Sequence, residues 1–277
     1  MKQSSRFPRA LQTLCATLAA LSLLGCAAGS RKEHSSRALT ELSPLGRIRV
    51  AINLGNPVLA SRSANGELQG VSVDLAREAA RRLGAKLDLL PFPAAGRVVE
   101  AIRTGQVDLA FVAIDPVRGA DLAYTAPYVT IEGAYLVRDN SPLRDNAEVD
   151  RLGMRIVVGR GSAYDLFLTR EIKSATLVRA PSSQAVTDMF LDQKLDVAAG
   201  VKQQLEADAR RVGGVRLLPG RFMVIEQAMA VPKGRDSARA WLWNFIEEMK
   251  ASGFVGEALK RHGIEGAAVA PPKAAES

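Results

Sequence analysis

Cysteine and histidine are scarce in this sequence, with two of each in 277 residues. That leaves too few soft ligands for a structural zinc site or a disulfide framework, and no metal or other cofactor is expected. Neither His34 nor His262 has a serine, cysteine or carboxylate spaced to support a histidine-dependent triad. Aromatic residues amount to 5%, and Phe222, Trp241, Trp243, Phe245 and Phe254 are expected in the core rather than on a binding platform. The formal charge is +8, yet the bases are interleaved with acids, as where Arg210 and Arg211 follow Glu206 and Asp208. A nucleic-acid binder wants a basic stripe with exposed aromatics, so no nucleic-acid partner is expected. Only one apolar run approaches the length of a membrane span, which excludes a polytopic membrane protein. What is present, 47% apolar and 24% charged residues, suits a globular protein with a sizeable core.

The one long apolar run, Ala10 to Leu24, follows Lys2, Arg6 and Arg9 with no acid between them, as in a secretory leader. It ends in Leu23-Leu24-Gly25-Cys26, which resembles the lipobox of bacterial lipoproteins. The alternatives are an uncleaved anchor helix or an ordinary signal peptide; Thr13, Thr17 and Ser22 interrupt the run and favour the lipoprotein. The expected arrangement is a leader over 1–25, lipidation at Cys26, and a flexible leash over 26–46 that is rich in Ser, Arg and Ala. Loss of the three leader bases takes the formal charge from +8 to +5. The tail over 267–277, with Pro271-Pro272, is expected to be disordered.

Between these ends, short apolar strands alternate with amphipathic helices. Ile48, Val50 and Ile52 alternate as a strand does, and Val71, Leu75, Ala79 and Leu83 share one helical face that Gly84 terminates. A strand over Lys86–Leu90, a helix over Ala95–Thr104 and a strand over Val107–Val112 complete a β-α-β-α-β series, which calls for a parallel sheet covered by helices. After a break over Arg138–Val149 the series restarts, with strands at Arg155–Val158, Thr176–Arg179 and Asp196–Ala199. Helices are expected over Ala163–Lys173, Gln184–Leu191, Lys202–Arg211, Ser237–Lys250 and Val255–Arg261. Two similar α/β units in about 220 residues imply two lobes.

Two turns carry chemistry. In Val158-Gly159-Arg160-Gly161-Ser162-Ala163-Tyr164, a dinucleotide loop would need a third glycine where Tyr164 stands, and no Lys-Ser/Thr pair follows to make a P-loop. Ser162 remains a good N-cap, beside first-turn N–H groups that attract anions; the plain alternative is a capped strand-to-helix turn. In Asp115-Pro116-Val117-Arg118, the arginine follows the carboxyl end of a strand, where open α/β sheets bind ligands. Its planar fork suits a carboxylate; otherwise it is a solvated loop residue.

Gly66-Glu67-Leu68-Gln69-Gly70 before Asp74-Leu75, Gly105-Gln106-Val107-Asp108, Arg118, Tyr124-Thr125-Ala126-Pro127-Tyr128, Gly161-Ser162 and Lys194-Leu195-Asp196 follow one another in order. Together they resemble bacterial extracellular solute-binding proteins of family 3, the amino-acid-binding proteins of ABC importers. The resemblance spans about Arg47 to Gly263 and implies a two-lobed α/β fold of the periplasmic binding protein type (type II), joined by two hinge strands. It places lobe 1 over 47–136 plus 228–266 and lobe 2 over 137–227. It implies that Arg118 binds the ligand carboxylate, that the Ser162 N–H in the Gly161-Ser162 turn completes the site, and that Ala113 contributes only backbone. Asn56, in Asn56-Pro57-Val58-Leu59 where the family has an aromatic segment, is counted with the ligand-binding residues.

One departure bears on the ligand. The family places an Asp just after the Leu-Asp strand to meet an α-ammonium, and here that stretch is Val197-Ala198-Ala199-Gly200-Val201. The expected ligand is therefore a small carboxylate or other anion, or an amino acid whose ammonium is met by Glu132, Glu226 or Gln227. The implied protein is a monomeric, lipid-anchored periplasmic binder that serves an ABC permease and is not an enzyme. The rivals are a cyclohexadienyl dehydratase-like enzyme on the same scaffold, with Glu132 or Glu226 as the acid, and a sensory ligand-binding module.

Overall fold

A computed structural model describes residues 35–274; Cys26 and the expected leader lie outside them. Strand β1 (Arg47–Asn53) lies between β4 (Lys86–Phe92) and β5 (Leu109–Ala113), parallel to both. Helix α2 (Val71–Leu83) and α3 (Ala95–Arg103) make the crossovers, and a small hairpin of β2 (Ser61–Arg62) and β3 (Leu68–Gln69) precedes α2. The spacing read from the sequence holds in α2: Val71, Leu75, Ala79 and Leu83 are buried, and Gly84 ends the helix at φ 64.

The second unit repeats the plan. Strand β7 (Arg155–Gly159) lies between β8 (Thr176–Ala180) and β9 (Val197–Val201), again parallel, with α4 (Ala163–Glu171), α5 (Val186–Asp192) and α6 (Lys202–Val212) following the strands. The units are joined by β6 (Leu122–Arg138) and β11 (Met223–Pro232), which run antiparallel to each other. At about 3.3 Å per residue, the 17 residues of β6 reach roughly 55 Å, enough to thread both lobes. Strand β11 pairs with β5 on the first lobe, and β6 pairs with β9 on the second, so one sheet runs β4-β1-β5-β11-β6-β9-β7-β8. A short β10 (Val215–Leu217) adds to β6.

Helices α7 (Asp236–Ala251) and α8 (Phe254–Arg261) return to the first lobe. Asp74 of α2 holds α8 through Arg261 at 2.7 Å and His262 at 2.9 Å. Trp243 and Phe245 are buried in the core, as their type predicts, and Phe222 stacks on Tyr135. Among the described residues, no helix is long and apolar enough to cross a membrane.

Both expected flexible ends need correction. Residues 35–42 of the expected leash form helix α1, with Ala38 and Leu42 fully buried. Its Glu41 carboxylate accepts the Ala238 N–H at 2.7 Å, capping α7, while the Glu41 carbonyl accepts from Arg235. Burial of two apolar side chains and a cap to a distant helix outweigh the polar composition. In the expected disordered tail, β12 (Ala268–Val269) pairs with β6 at Val129 and Thr130. Ala270 beyond it is buried and donates to the Tyr128 carbonyl, and the Trp243 indole N–H donates to the Lys273 carbonyl.

Candidate functional site

The cleft is built from the ends of strands. After β5, the Asp115 carboxylate accepts the Val117 N–H at 2.8 Å, folding Asp115-Pro116-Val117-Arg118 into a tight turn. That turn sends Arg118 back beneath the strand end. Its Nη1 donates to the Ala113 carbonyl at 3.1 Å, and its Nη2 crosses to the other lobe and donates to the Gly161 carbonyl at 2.7 Å. Only 4% of Arg118 is exposed. Desolvation pushes its pKa down, opposed by the neighbouring Tyr124 and Asp115.

On the second lobe, Ser162 caps α4 as its type predicts, its Oγ accepting the Asp165 N–H at 3.0 Å. The Ser162 N–H does not face the cleft free, however: it donates to the Gly159 carbonyl at 3.0 Å. The Gly161 N–H is likewise taken, by the Asp165 carboxylate at 2.8 Å. Ala163 and Tyr164, which line the cavity, are the next residues of the first turn, where N–H groups have no intrahelical acceptor. The tight Gly159–Ser162 turn thus consumes the Ser162 amide. Gly161 itself contributes a carbonyl to Arg118, and Ala113 does the same from its own lobe.

Between the lobes lies a cavity of about 30 Å³, lined by Asn56, Ala113, Arg118, Ser162, Tyr164 and Gln227 among others. The five residues expected at the site therefore come together, Gly161 by holding Arg118 and the other four at the cavity wall. Asn56 is 7% exposed, and its Oδ1 is buried without a hydrogen-bond partner. Among the described residues, none that lines it is a carboxylate or a histidine. Glu132, one of the suspected acids, is clamped by Lys202 at 3.0 Å and Arg221 at 2.6 Å, and Arg221 above all holds its carboxyl below the usual range. Glu226 is exposed on β11. Neither reaches the cavity wall, whereas Gln227, named beside them, does.

The two lobes are shut. Gly96 and Gly161 meet so closely that a Cβ on Gly161 would sit 3.3 Å from the Gly96 Cα. Gln184 donates to the Leu54 carbonyl across the cleft at 2.7 Å. Arg170 lies with its Nη1 3.0 Å from the buried Asp115 carboxylate, a contact of charge rather than an aligned hydrogen bond. Outside the glycine contact, the cleft opens into a groove of about 640 Å³ bearing Arg97, Glu100 and Arg160. Sequence reading missed Tyr164, Ser183 and these clasps. Tyr164 had a signal, its place in the first turn after Ser162; the clasps join residues far apart in the chain and had none.

Comparison with known proteins bears on the fold. The chain is 25% identical over 197 residues to a cyclohexadienyl dehydratase of Pseudomonas aeruginosa, covering 69% of this chain and 71% of that one. Its fold matches a solute receptor for L-cysteine of Neisseria gonorrhoeae, with a TM-score of 0.72, 24% identity, and coverage of 83% and 94% of the two chains. It also matches a histidine kinase sensor domain with similarity to periplasmic binding proteins, with a TM-score of 0.71, 18% identity, and coverage of 81% and 98%. These neighbours share the two-lobed architecture. The model of the bacterial extracellular solute-binding proteins, family 3, matches residues 48–264, and the chain belongs to that family.

Proposed function

We propose that this protein is a lipid-anchored, periplasm-facing solute-binding protein that captures a small carboxylate or amino-acid-like ligand between its lobes and presents it to an ABC importer. The observation that carries the reading is Arg118: a buried guanidinium whose donors reach a carbonyl on each lobe, at the point where the lobes meet. A carboxylate seated there replaces weak carbonyl acceptors with a charged, bidentate partner. Because it touches both lobes, it binds the closed form better than the open one and drives closure. The N-terminal end of α4 at the cavity wall adds to the pull on an anion, and Arg97 and Arg160 at the cleft mouth draw anions inward.

The similarity to a dehydratase favours a second reading, an enzyme on this scaffold. Such an activity needs a general acid or base within reach of the substrate. Among the described residues the cavity wall offers neither a carboxylate nor a histidine, and its one phenol, Tyr164, is bonded to Ser183. Incubation of the pure protein with prephenate or arogenate decides: turnover establishes the enzyme, and saturable binding without turnover the binder.

The test of the main reading is a thermal-shift screen of the purified protein against amino, hydroxy and keto acids, dicarboxylates and small anions. A ligand at a hundredfold excess over its Kd raises stability by about 2.7 kcal/mol. Arg118→Ala is expected to abolish that shift, and survival of the full shift would overturn the carboxylate clamp. For the anchor, Cys26→Ser is expected to move the protein from the membrane fraction to the soluble one.

A further inference from the structure

We propose that the cleft selects a short-chain hydroxy carboxylate over the amino acid of the same skeleton, with Asn56 as the residue that sets this preference by accepting a hydrogen bond from the ligand hydroxyl. The inference rests on the carboxylate-binding reading above and adds to it the other end of the ligand. Asn56 lines the same cavity as Arg118. Its backbone is fixed, since its carbonyl accepts from Leu59 at 3.1 Å and Ala60 at 3.2 Å and its N–H donates to the Asn53 carbonyl at 3.4 Å. Its side chain is nevertheless left with a buried Oδ1 that has no donor among the described residues. Buried amide oxygens are almost always paired, and an unpaired one marks a place where a ligand or water donates.

The donor is either a hydroxyl or an ammonium, and charge decides between them. An ammonium brought into this cavity sits near the buried Arg118 and needs an anion besides its own carboxylate. Among the acids near the cleft, Glu226 is exposed and lies off the cavity wall, Glu100 pairs with Arg103 in the outer groove, and the others are already committed. Asp115 faces Arg170 and the Val117 N–H. Asp165 holds Arg179 at 3.0 Å and the Gly161 N–H. Glu132 is held by Lys202 and Arg221. Of the other polar groups at the wall, Asn53 Oδ1 accepts the Gly55 N–H, and the Tyr164 hydroxyl donates to Ser183. Gln227 is a neutral amide. A hydroxyl satisfies Asn56 with one donor and adds no charge.

Calorimetric titration of the protein with lactate, alanine and propionate tests this directly, because the three differ only in a hydroxyl, an ammonium or a hydrogen at one carbon. Lactate is expected to bind about tenfold tighter than either of the others, the worth of one satisfied buried acceptor. Asn56→Ala is expected to bring lactate down to the propionate level and leave propionate unchanged. Asn56→Asp, which supplies the missing countercharge, is expected to favour alanine over lactate. Alanine binding as tightly as lactate in the wild type, a result that needs no variant to fold, would overturn the inference, as would an unchanged lactate-to-propionate ratio in Asn56→Ala. If some other carboxylate binds instead and Arg118→Ala abolishes it, the inference fails while the carboxylate clamp stands. If nothing in the wider screen depends on Arg118, both fail.

Discussion

Asp115 and Arg170 face each other across the cleft, their carboxylate and guanidinium 3.0 Å apart, with the carboxylate almost fully buried and the arginine more than a third exposed. Asp115 also shapes the turn that delivers Arg118. One carboxylate therefore serves both the site on its own lobe and the attachment of the other lobe. On the proposed reading, a lobe that swings away parts this pair, so the contact favours the closed form.

Replacing the partner separates these roles. Arg170→Gln leaves the Asp115 turn intact and removes the charge that meets it on closing. Discounted for the exposure of the arginine, the pair contributes about 1 kcal/mol to closure. The unliganded variant is expected to shift toward open lobes, seen as a larger radius of gyration in small-angle scattering. Its ligand Kd is expected to rise by about fivefold. An unchanged radius and Kd would mean that the contact does not hold the lobes.

Gly161→Ala probes the same closure at its tightest point. At φ 70 any side chain is strained, which costs about 1 kcal/mol whether the lobes are open or shut. The added Cβ meets the Gly96 Cα at 3.3 Å only when they are shut. Gly153, at φ 85 with open space around it, isolates the backbone cost alone. Gly153→Ala and Gly161→Ala are thus expected to lower Tm alike, while only Gly161→Ala weakens ligand binding, by about tenfold. Equal affinities in the two variants would show that closure tolerates a methyl group there.

What could be read from the sequence was what nearby residues decide. The buried face of α2, its Gly84 terminator and the Ser162 cap depend on neighbours within four residues, and each formed where its pattern lies. Arg118 and the Gly161-Ser162 turn were singled out from strand ends and capping chemistry, and the fold brings them to 2.7 Å of each other. The Ser162 N–H was misjudged because its acceptor, Gly159, is available only once the turn closes. The ends were misjudged for the opposite reason, distance. Ala38 and Leu42 are too few to make a helical pattern among Ser and Arg, and Glu41 between them meets α7 some 200 residues later.

That docking is itself testable. Arg235, the N-cap residue of α7, makes no side-chain cap, and Glu41 accepts the Ala238 N–H in its place. Glu41→Ala removes the acceptor and a negative charge from a helix N-terminus, together worth about 1 kcal/mol. In a body of this size that corresponds to a drop in Tm of about 2–4 °C. Glu41→Gln keeps an acceptor oxygen and is expected to recover part of it. An unaltered Tm in Glu41→Ala would show that the Glu41 cap adds nothing to the stability of the first lobe.

Acid stability gives a further check on α2. Glu78 accepts from Arg81 at 2.7 Å and from Arg82 at 2.8 Å. The Arg81 hydrogen bonds above all bring its carboxyl from the ordinary 4.5 down to about 2. The folded pKa lies below the unfolded one, so the folded state binds fewer protons between these values. The stabilisation is therefore complete above about pH 4.5 and is lost as pH falls toward 2. In a series of Tm measurements across that window, the wild type is expected to fall more steeply than Glu78→Gln, and the two curves to converge near pH 2. Because Arg81 is mostly exposed, added salt is expected to shrink the gap at neutral pH. Parallel curves through the window would mean that the ion pairs of α2 do not stabilise the folded protein.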